Sequence, residues 1–279
     1  MKILIDFYME LARNVIEDED ARFVVQISGG SCKEIPVREA KLTEVNGKSY
    51  YVFDCRVAAA QMTDTITAKI VLGDGTEGTE YQFTVQDYAK YILDHEYEYE
   101  DVLPVVKAML NYGAAAQNYF GNNTDKLANE ILIEADRTAT LTTPELSAYD
   151  YSAPEATDNI SFLGTSLLLE SEVGLKCYFY TSVDLQYSNV TVKLGDKVLD
   201  ESDFIIGKSG AAQYIMVTGL APSDYGKQFT ITAQDTTVEN VSAYGYMTKA
   251  FKIMGDSDKL TDVLKNMYAY GEAYKECYK

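Results

Sequence analysis

The sequence predicts an α+β fold of two tandem modules, each an antiparallel β-sandwich followed by a two-helix hairpin. Three observations predict it: an internal repeat, a period-two apolar alternation at the front of each copy, and helical apolar spacing at the end of each copy.

The repeat comes first because it sets the organisation. Met109-Leu110-Asn111-Tyr112-Gly113-Ala114 is echoed by Met267-Tyr268-Ala269-Tyr270-Gly271-Glu272, an offset of 158. Thr65-Ile66-Thr67-Ala68 matches Thr230-Ile231-Thr232-Ala233 at 165, and Phe7-Tyr8 matches Phe179-Tyr180 at 172. The order is kept and the offset drifts smoothly, as expected for one module copied with loops of different length. The expected boundaries are a first module over 1–121, a linker over 122–158 and a second module over 159–279.

The strands follow from alternation. Ile3, Ile5 and Phe7 share one face of a strand that runs from Met1 to Tyr8. Phe53, Cys55 and Val57 alternate with Asp54 and Arg56, and Ile66, Ala68, Ile70 and Leu72 alternate with Thr67 and Lys69; Tyr81, Phe83 and Val85 follow. Gly29-Gly30, Asn46-Gly47 and Gly73-Asp74-Gly75 punctuate these strands, since Gly and Asn tolerate the positive φ of tight turns. Short strands with one buried face and regular turns form the pattern of an immunoglobulin-like sandwich.

After Val85 the period changes. Tyr88, Tyr91 and Ile92 fall at helical spacing, and Val102, Val106, Met109, Gly113, Ala116 and Phe120 make a second stripe. Asp101 is the expected N-cap, with Pro104 in the first turn, where its missing N–H has no helical partner. The second copy ends the same way, with Met247, Phe251 and Met254, then Leu260, Val263, Leu264, Met267, Gly271 and Tyr274. Gly inside a helix costs about 1 kcal/mol relative to Ala. The chain accepts that cost at Gly113 and Gly271, so both positions predict close approach to a strand or partner helix, with Tyr112 and Tyr270 at the rim.

Residues 121–158 are polar and Thr-rich, contain Pro144 and Pro154, and read as a linker with a short helix near 125–132. The second copy then opens with Ser161-Phe162-Leu163-Gly164-Thr165-Ser166-Leu167-Leu168-Leu169-Glu170, an apparent first strand with no counterpart in the first copy. The chain thus reads as a segment of a longer array whose first module lacks one strand, leaving an open edge able to pair with a neighbour.

Charge and chemistry narrow the function classes. The formal charge of −19, from 43 acidic and 24 basic residues, repels a phosphate backbone or an anionic lipid surface. Nucleic-acid and membrane partners are set aside, and no apolar run approaches the roughly 18 residues of a membrane helix. The N-terminal residues do not read as a secretion signal. Cys32, Cys55, Cys177 and Cys277 are too scattered for a disulfide framework. Cys32 with Cys55, expected on opposite arms of a hairpin with its apex at Asn46-Gly47, is the one pair in reach; two small buried hydrophobes is the favoured reading.

His95 is the only histidine, placed at a helix end in an acidic segment, and it fits a C-terminal residue meeting the helix dipole better than a catalytic base. No GxSxG, HExxH, Walker loop or GxGxxG is present. The cluster Asp196, Asp200, Glu201 and Asp203 and the loop 74–77 lack EF-hand spacing and read as solvated turns, so no metal or cofactor is expected. The 23 Tyr and 10 Phe, with no Trp, supply rigid contact area with a polar tip and count mildly against sugar stacking. Within Glu96-Tyr97-Glu98-Tyr99-Glu100-Asp101, Tyr97 and Tyr99 are the candidate binding residues; an acidic helix connection with its tyrosines folded back on the sandwich is the competing reading.

The run 88–129, above all Val106-Lys107-Ala108-Met109-Leu110-Asn111-Tyr112-Gly113-Ala114-Ala115-Ala116-Gln117 with Tyr119-Phe120 and Thr124-Asp125-Lys126-Leu127-Ala128-Asn129, resembles repeated modules of large extracellular proteins from gut Clostridia, commensal Firmicutes. The resemblance extends to Met62-Thr63-Asp64-Thr65-Ile66 and to Gly164-Thr165-Ser166-Leu167-Leu168-Leu169-Glu170, and so covers most of the chain. The second copy departs from it at Glu272-Ala273-Tyr274-Lys275-Glu276. The resemblance implies a secreted or cell-surface, adhesin-like and non-enzymatic protein flanked by neighbouring modules; it implies no set of binding residues. Some similar commensal surface proteins are associated with binding host immunoglobulin through variable-domain frameworks, in the manner of a B-cell superantigen.

Three functions follow in order of expectation. The first is recognition of a host protein, most specifically antibody Fab. The second is a glycan-binding or scaffold module of a polysaccharide-degrading assembly. The third is a hydrolase on paired carboxylates, which requires a cleft with two carboxyl groups about 5 to 10 Å apart.

Overall fold

The computed structural model describes residues 3–28, 30, 32–137, 139–170, 172–255 and 257–278. Met1, at the start of the expected first strand, and Gly29 of the expected Gly29-Gly30 turn lie outside the described residues. The chain combines antiparallel sheets with helices.

In chain order the first half holds β1 (Ile3–Met9), α1 (Arg13–Ile16), β2 (Arg22–Ile27), β3 (Cys32–Pro36), β4 (Lys41–Val45), β5 (Lys48–Val57), β6 (Ile66–Val71), β7 (Tyr81–Phe83), α2 (Val85–Asp94) and α3 (Leu103–Phe120). Its strands make two antiparallel sheets, β1-β5-β4 and β3-β2-β6-β7. The sheets meet face to face: the Phe23 ring of β2 stacks on the Phe53 ring of β5 at 4.5 Å, and Phe7 of β1 reaches Phe23 at 5.0 Å. Phe23, Phe53 and Val57 are essentially sealed from solvent, and each such side chain contributes about 1.5–3 kcal/mol by leaving water.

Residues 121–158 carry a 3-10 turn at Ala128–Ile131, α4 (Glu134–Arg137) and a 3-10 turn at Ser147–Tyr149. They pack against the rest of the chain: Ala128, Leu132, Leu146 and Tyr151 are all buried. The second half holds β8 (Ile160–Leu169), β9 (Val173–Thr181), β10 (Val190–Leu194), β11 (Lys197–Val198), β12 (Phe204–Ser209), β13 (Ala212–Val217), β14 (Phe229–Ala233), β15 (Thr236–Val241), α5 (Ala243–Ile253) and α6 (Lys259–Cys277). Its sheets are β12-β13-β9-β8 and β11-β10-β14-β15.

Local chemistry accounts for the joints. Asn46 and Gly47 both take positive φ, 52° and 76°, which closes the two-residue turn between β4 and β5. Thr84 caps α2 by accepting from the Asp87 N–H, while Asp87 answers the Thr84 N–H; Ser242 caps α5 by accepting from the Gly245 N–H. Val85 therefore starts a helix and does not extend the strand before it.

Several expectations are corrected. Asp101 does not cap α3: it lies inside a 3-10 turn over Glu100–Val102, the N-cap is Val102, and Pro104 sits in the first turn as expected. Cys32 is not on an arm of the Asn46-Gly47 hairpin, whose arms are β4 and β5; it is exposed on β3 in the opposite sheet, while Cys55 is buried on β5, and both are free thiols. Gly113 and Gly271 do mark close approach: Gly113 approaches the loop residues Met62 and Ala128, not a strand or partner helix, while Gly271 approaches the partner helix α5 at Tyr244 Oη, 3.1 Å from where a Cβ would stand, as well as the 222–225 turn. A Cβ on Gly113 would meet Met62 Sδ at 2.5 Å, and one on Gly271 would meet Tyr225 at 3.0 Å and the Pro222 carbonyl at 3.3 Å. Nor are the preceding tyrosines at a rim: Tyr112 and Tyr270 are buried and stack on each other, 6.4 Å and 8° apart, where α3 packs along α6.

Candidate binding surface

The sheet order makes β1 terminal, so one of its edges faces away from β5. Ile5, Phe7 and Met9 point inward yet stay only half-buried, while Leu4 and Tyr8 are exposed. Beside that edge run Phe83 of β7 and Tyr88 of α2, and with Leu4, Ile5, Phe7 and Tyr8 they line an apolar groove of about 500 Å³ with Asp6 as its single charged member. Phe83 closes the floor against Phe7, edge on, at 5.3 Å.

Tyrosines continue the surface away from the groove. Tyr88 and Tyr91 lie on the outer face of α2, three residues apart, 59% and 49% exposed. Tyr91 packs on the ring of His95 at 4.3 Å and edge-on against Tyr99 at 6.1 Å. That contact, ahead of burial, raises the Tyr99 hydroxyl pKa above its ordinary value. From the other side, Tyr270, Tyr274 and Tyr278 follow at i, i+4, i+8 along α6, with ring contacts of 6.5 and 4.6 Å. The file leads from the buried Tyr112 pair out to Tyr278, whose hydroxyl is pushed up by burial first and by neighbours that include Tyr88.

Of the two tyrosines proposed from sequence, Tyr97 projects almost wholly into solvent, 93% exposed. Tyr99 folds back onto Tyr91 and precedes the 3-10 turn that leads into α3. Tyr99 is thus brought against Tyr91, and neither tyrosine lines the groove. Sequence reasoning missed Tyr88 because its spacing with Tyr91 and Ile92 reads as a packed helical stripe, and it did not single out Leu4 and Tyr8, although the alternation of Ile3, Ile5 and Phe7 puts both on the outer face of β1.

The other candidates hold structure together. His95 is the C-cap of α2, its Nδ1 at 2.8 Å from the Tyr91 carbonyl. Asp74 accepts the Thr76 N–H and Asp203 accepts the Asp200 N–H, so the acidic loops fold their own turns. Among the described residues, no group of three His, Cys, Asp or Glu side chains is arranged to hold a metal ion. A second cavity of about 420 Å³ between α3 and α6 is lined by Asn111, Asn129, Asp262, Lys265 and Asn266, with one carboxylate. A shallower one on the outer face of β2 and β6 carries Glu34, Glu77 and Glu80, with Arg22 bridging Glu34 at 2.9 Å and Lys69 bridging Glu77 at 2.6 Å.

The residues that carry the family resemblance form a scaffold. Gln117, fully buried on α3, donates from Nε2 to Thr63 Oγ1 at 2.8 Å and to the Lys126 carbonyl at 3.0 Å, while its Oε1 accepts the Ala128 N–H at 2.7 Å. Asn122 and Asn123 donate to the Ala60 carbonyl and Thr63 Oγ1. In the second half the Tyr244 hydroxyl donates to Glu272, which Lys275 also meets at 2.8 Å. These contacts tie the end of α6 to α5.

No family model matches the chain, and no curated protein matches it. Among solved structures, "Anomalous substructure of Titin-A168169" aligns over 85% of this chain and 88% of its own length, at 8% identity with a TM-score of 0.19. A superposition that loose carries no argument about this chain. No helix of the described residues is long and apolar enough to cross a membrane.

Proposed function

We propose that the chain is a non-catalytic binding segment of a cell-surface or secreted protein, built from two copies of one module, and that it recognises a host protein, most specifically immunoglobulin variable domains. The observation that carries a binding role is the collection of exposed tyrosines beside the open edge of β1. Exposed aromatic residues around an apolar groove suit protein recognition, because they bury large area with little loss of side-chain freedom. The choice of immunoglobulin rests on the resemblance to commensal surface modules.

Strand order supports two copies. The orders β4-β5-β1 and β3-β2-β6-β7 recur as β12-β13-β9 and β11-β10-β14-β15, each followed by two helices, with β8 as the extra strand. Registers match as well: Ile5 lies opposite Cys55, and Cys177 lies opposite Ile215. The offset from Cys55 to Ile215 is 160, so it does not drift smoothly from 172 to 158; the connection before β5 is the longer one in the first copy.

Biolayer interferometry against a panel of Fabs with different heavy-chain variable families tests the reading. Binding that follows variable family and not antigen specificity, and that weakens in Tyr97→Ala and Tyr88→Ala variants of unchanged thermal midpoint, is the expected result. Absence of binding to every Fab at micromolar concentration would remove the immunoglobulin reading.

A further inference from the structure

In the second half the two sheets turn unlike faces to solvent. On β11-β10-β14-β15 the outward positions are Thr191, Lys193, Thr230, Thr232, Thr237 and Glu239, with the Thr232 and Thr237 hydroxyls 2.9 Å apart, which is the polar alternation of a solvated antiparallel face. On β12-β13-β9-β8 the positions that alternate with the buried Leu175, Cys177 and Phe179 are Lys176, Tyr178 and Tyr180, and the same face continues through Tyr214 and Met216 of β13 to Ile205 of β12. Tyr180 is 59% and Ile205 44% exposed. Tyr214 lies across Gly207, where a Cβ would collide with its ring, and Tyr178 packs on it at 5.8 Å. None of the residues in these four strands is acidic, in a chain with 43 acidic residues, whereas the sheet β1-β5-β4 carries Asp6, Glu44 and Asp54. On the inner strand β9, Lys176 Nζ sits 4.8 Å over the Tyr214 ring, and among the described residues no carboxylate pairs with it.

We infer that the outer face of β12-β13-β9-β8 docks a folded partner protein through an apolar surface that carries a carboxylate near its centre. Tyrosine and methionine with few charges are the composition of an interface core, not of a solvated sheet. The carboxylate follows from charge complementarity. Lys176 offers an ammonium without a mate, and a face free of acidic residues lets an acidic group approach a chain whose net charge of −19 repels it elsewhere. Width argues for a folded surface: four strands about 4.8 Å apart span about 15 Å, more than one extended segment covers, and more than a helix of about 10 Å covers. A second copy of this chain fits poorly. Two copies joined through the same face bring both Lys176 side chains into one interface with no carboxylate for either, and the two net charges repel. This surface is separate from the tyrosines beside β1, and the inference does not rest on which host protein they recognise.

The test follows the isotope-labelled full chain by NMR as N-acetylphenylalanine, an aromatic group bearing a carboxylate, is added, and repeats the titration with the uncharged N-acetylphenylalanine amide. Saturable shifts are expected at the amides of Lys176, Tyr178 and Tyr214, with the carboxylate form binding about threefold more tightly and that advantage lost in Lys176→Gln. No shift at these residues up to about 20 mM, or equal affinity for the two probes, overturns the inference. A second measurement separates docking from a role in the fold. Tyr180→Thr and Ile205→Thr, which give this face the chemistry of the opposing sheet, should each move the thermal midpoint by no more than about two degrees, as surface changes do. A larger drop in both overturns the inference, since the side chains then serve the sandwich itself. So does a dimer in sedimentation that Ile205→Asp disperses, because the occupant is then a second copy.

Discussion

Gln117 looks in sequence like one more polar residue on a helix, yet it joins three segments through one buried amide. Truncating it leaves the Ala128 N–H and Thr63 hydroxyl buried without their partner, and a lost buried partner costs about 1–3 kcal/mol. Urea unfolding of Gln117→Ala should show a loss in that range with an unchanged slope. Asp150 acts through charge. Lys249 and Lys252 of α5 meet its carboxylate at 2.5 and 2.6 Å and hold its pKa at about 2, below the ordinary 3.8. A carboxyl depressed on folding stabilises the fold above its unfolded pKa, and that contribution disappears as pH falls from about 4 to about 2. Asp150→Asn should cost about 1 kcal/mol at neutral pH after solvent screening, and the two stability curves should converge at the acid end. At this scale the sequence announced positions better than partners. The helix-interior glycines marked close approach because their cost had to be offset, but nothing local says that Met62 and Tyr225 are what approach.

At the scale of elements, legibility followed burial of one face. β5 and β6 were readable because Phe53, Cys55 and Val57, and Ile66, Ala68 and Ile70, alternate with polar neighbours. β2 was not, since Phe23-Val24-Val25 is a continuous apolar run, and β3 was not, since a short edge strand with its first three residues exposed has no buried period to display. Turn chemistry was read correctly at Asn46-Gly47. Gly47→Ala forces a Cβ onto a backbone at φ 76° and should cost about 1 kcal/mol, measurable by thermal unfolding. The groove beside β1 was half legible. The alternation of Ile3, Ile5 and Phe7 announced β1 and its inward face, whereas the wall built by Phe83 and Tyr88 required knowing how β7 and α2 fold over it.

At the scale of the molecule, α3 and α6 join the two halves through the stacked pair Tyr112 and Tyr270, both pushed well above the ordinary tyrosine range mainly by burial. The repeat gave no warning of this contact, because a motif that occurs twice says nothing about whether its copies touch. Calorimetry of the intact chain should give one transition. Tyr270→Ala should remove about 3 kcal/mol, as large-to-small core changes do, and split the transition in two.

The comparison between β1 and β9 stands at the centre of this account, and amide hydrogen exchange of the free chain tests it most directly. Residues along β9 should be uniformly protected, bonded to β13 on one side and to β8 on the other. Along β1 the amides should alternate, protected where they face β5 and exchanging orders of magnitude faster where they face the groove. Uniform protection along β1 equal to that of β9 would contradict the open edge.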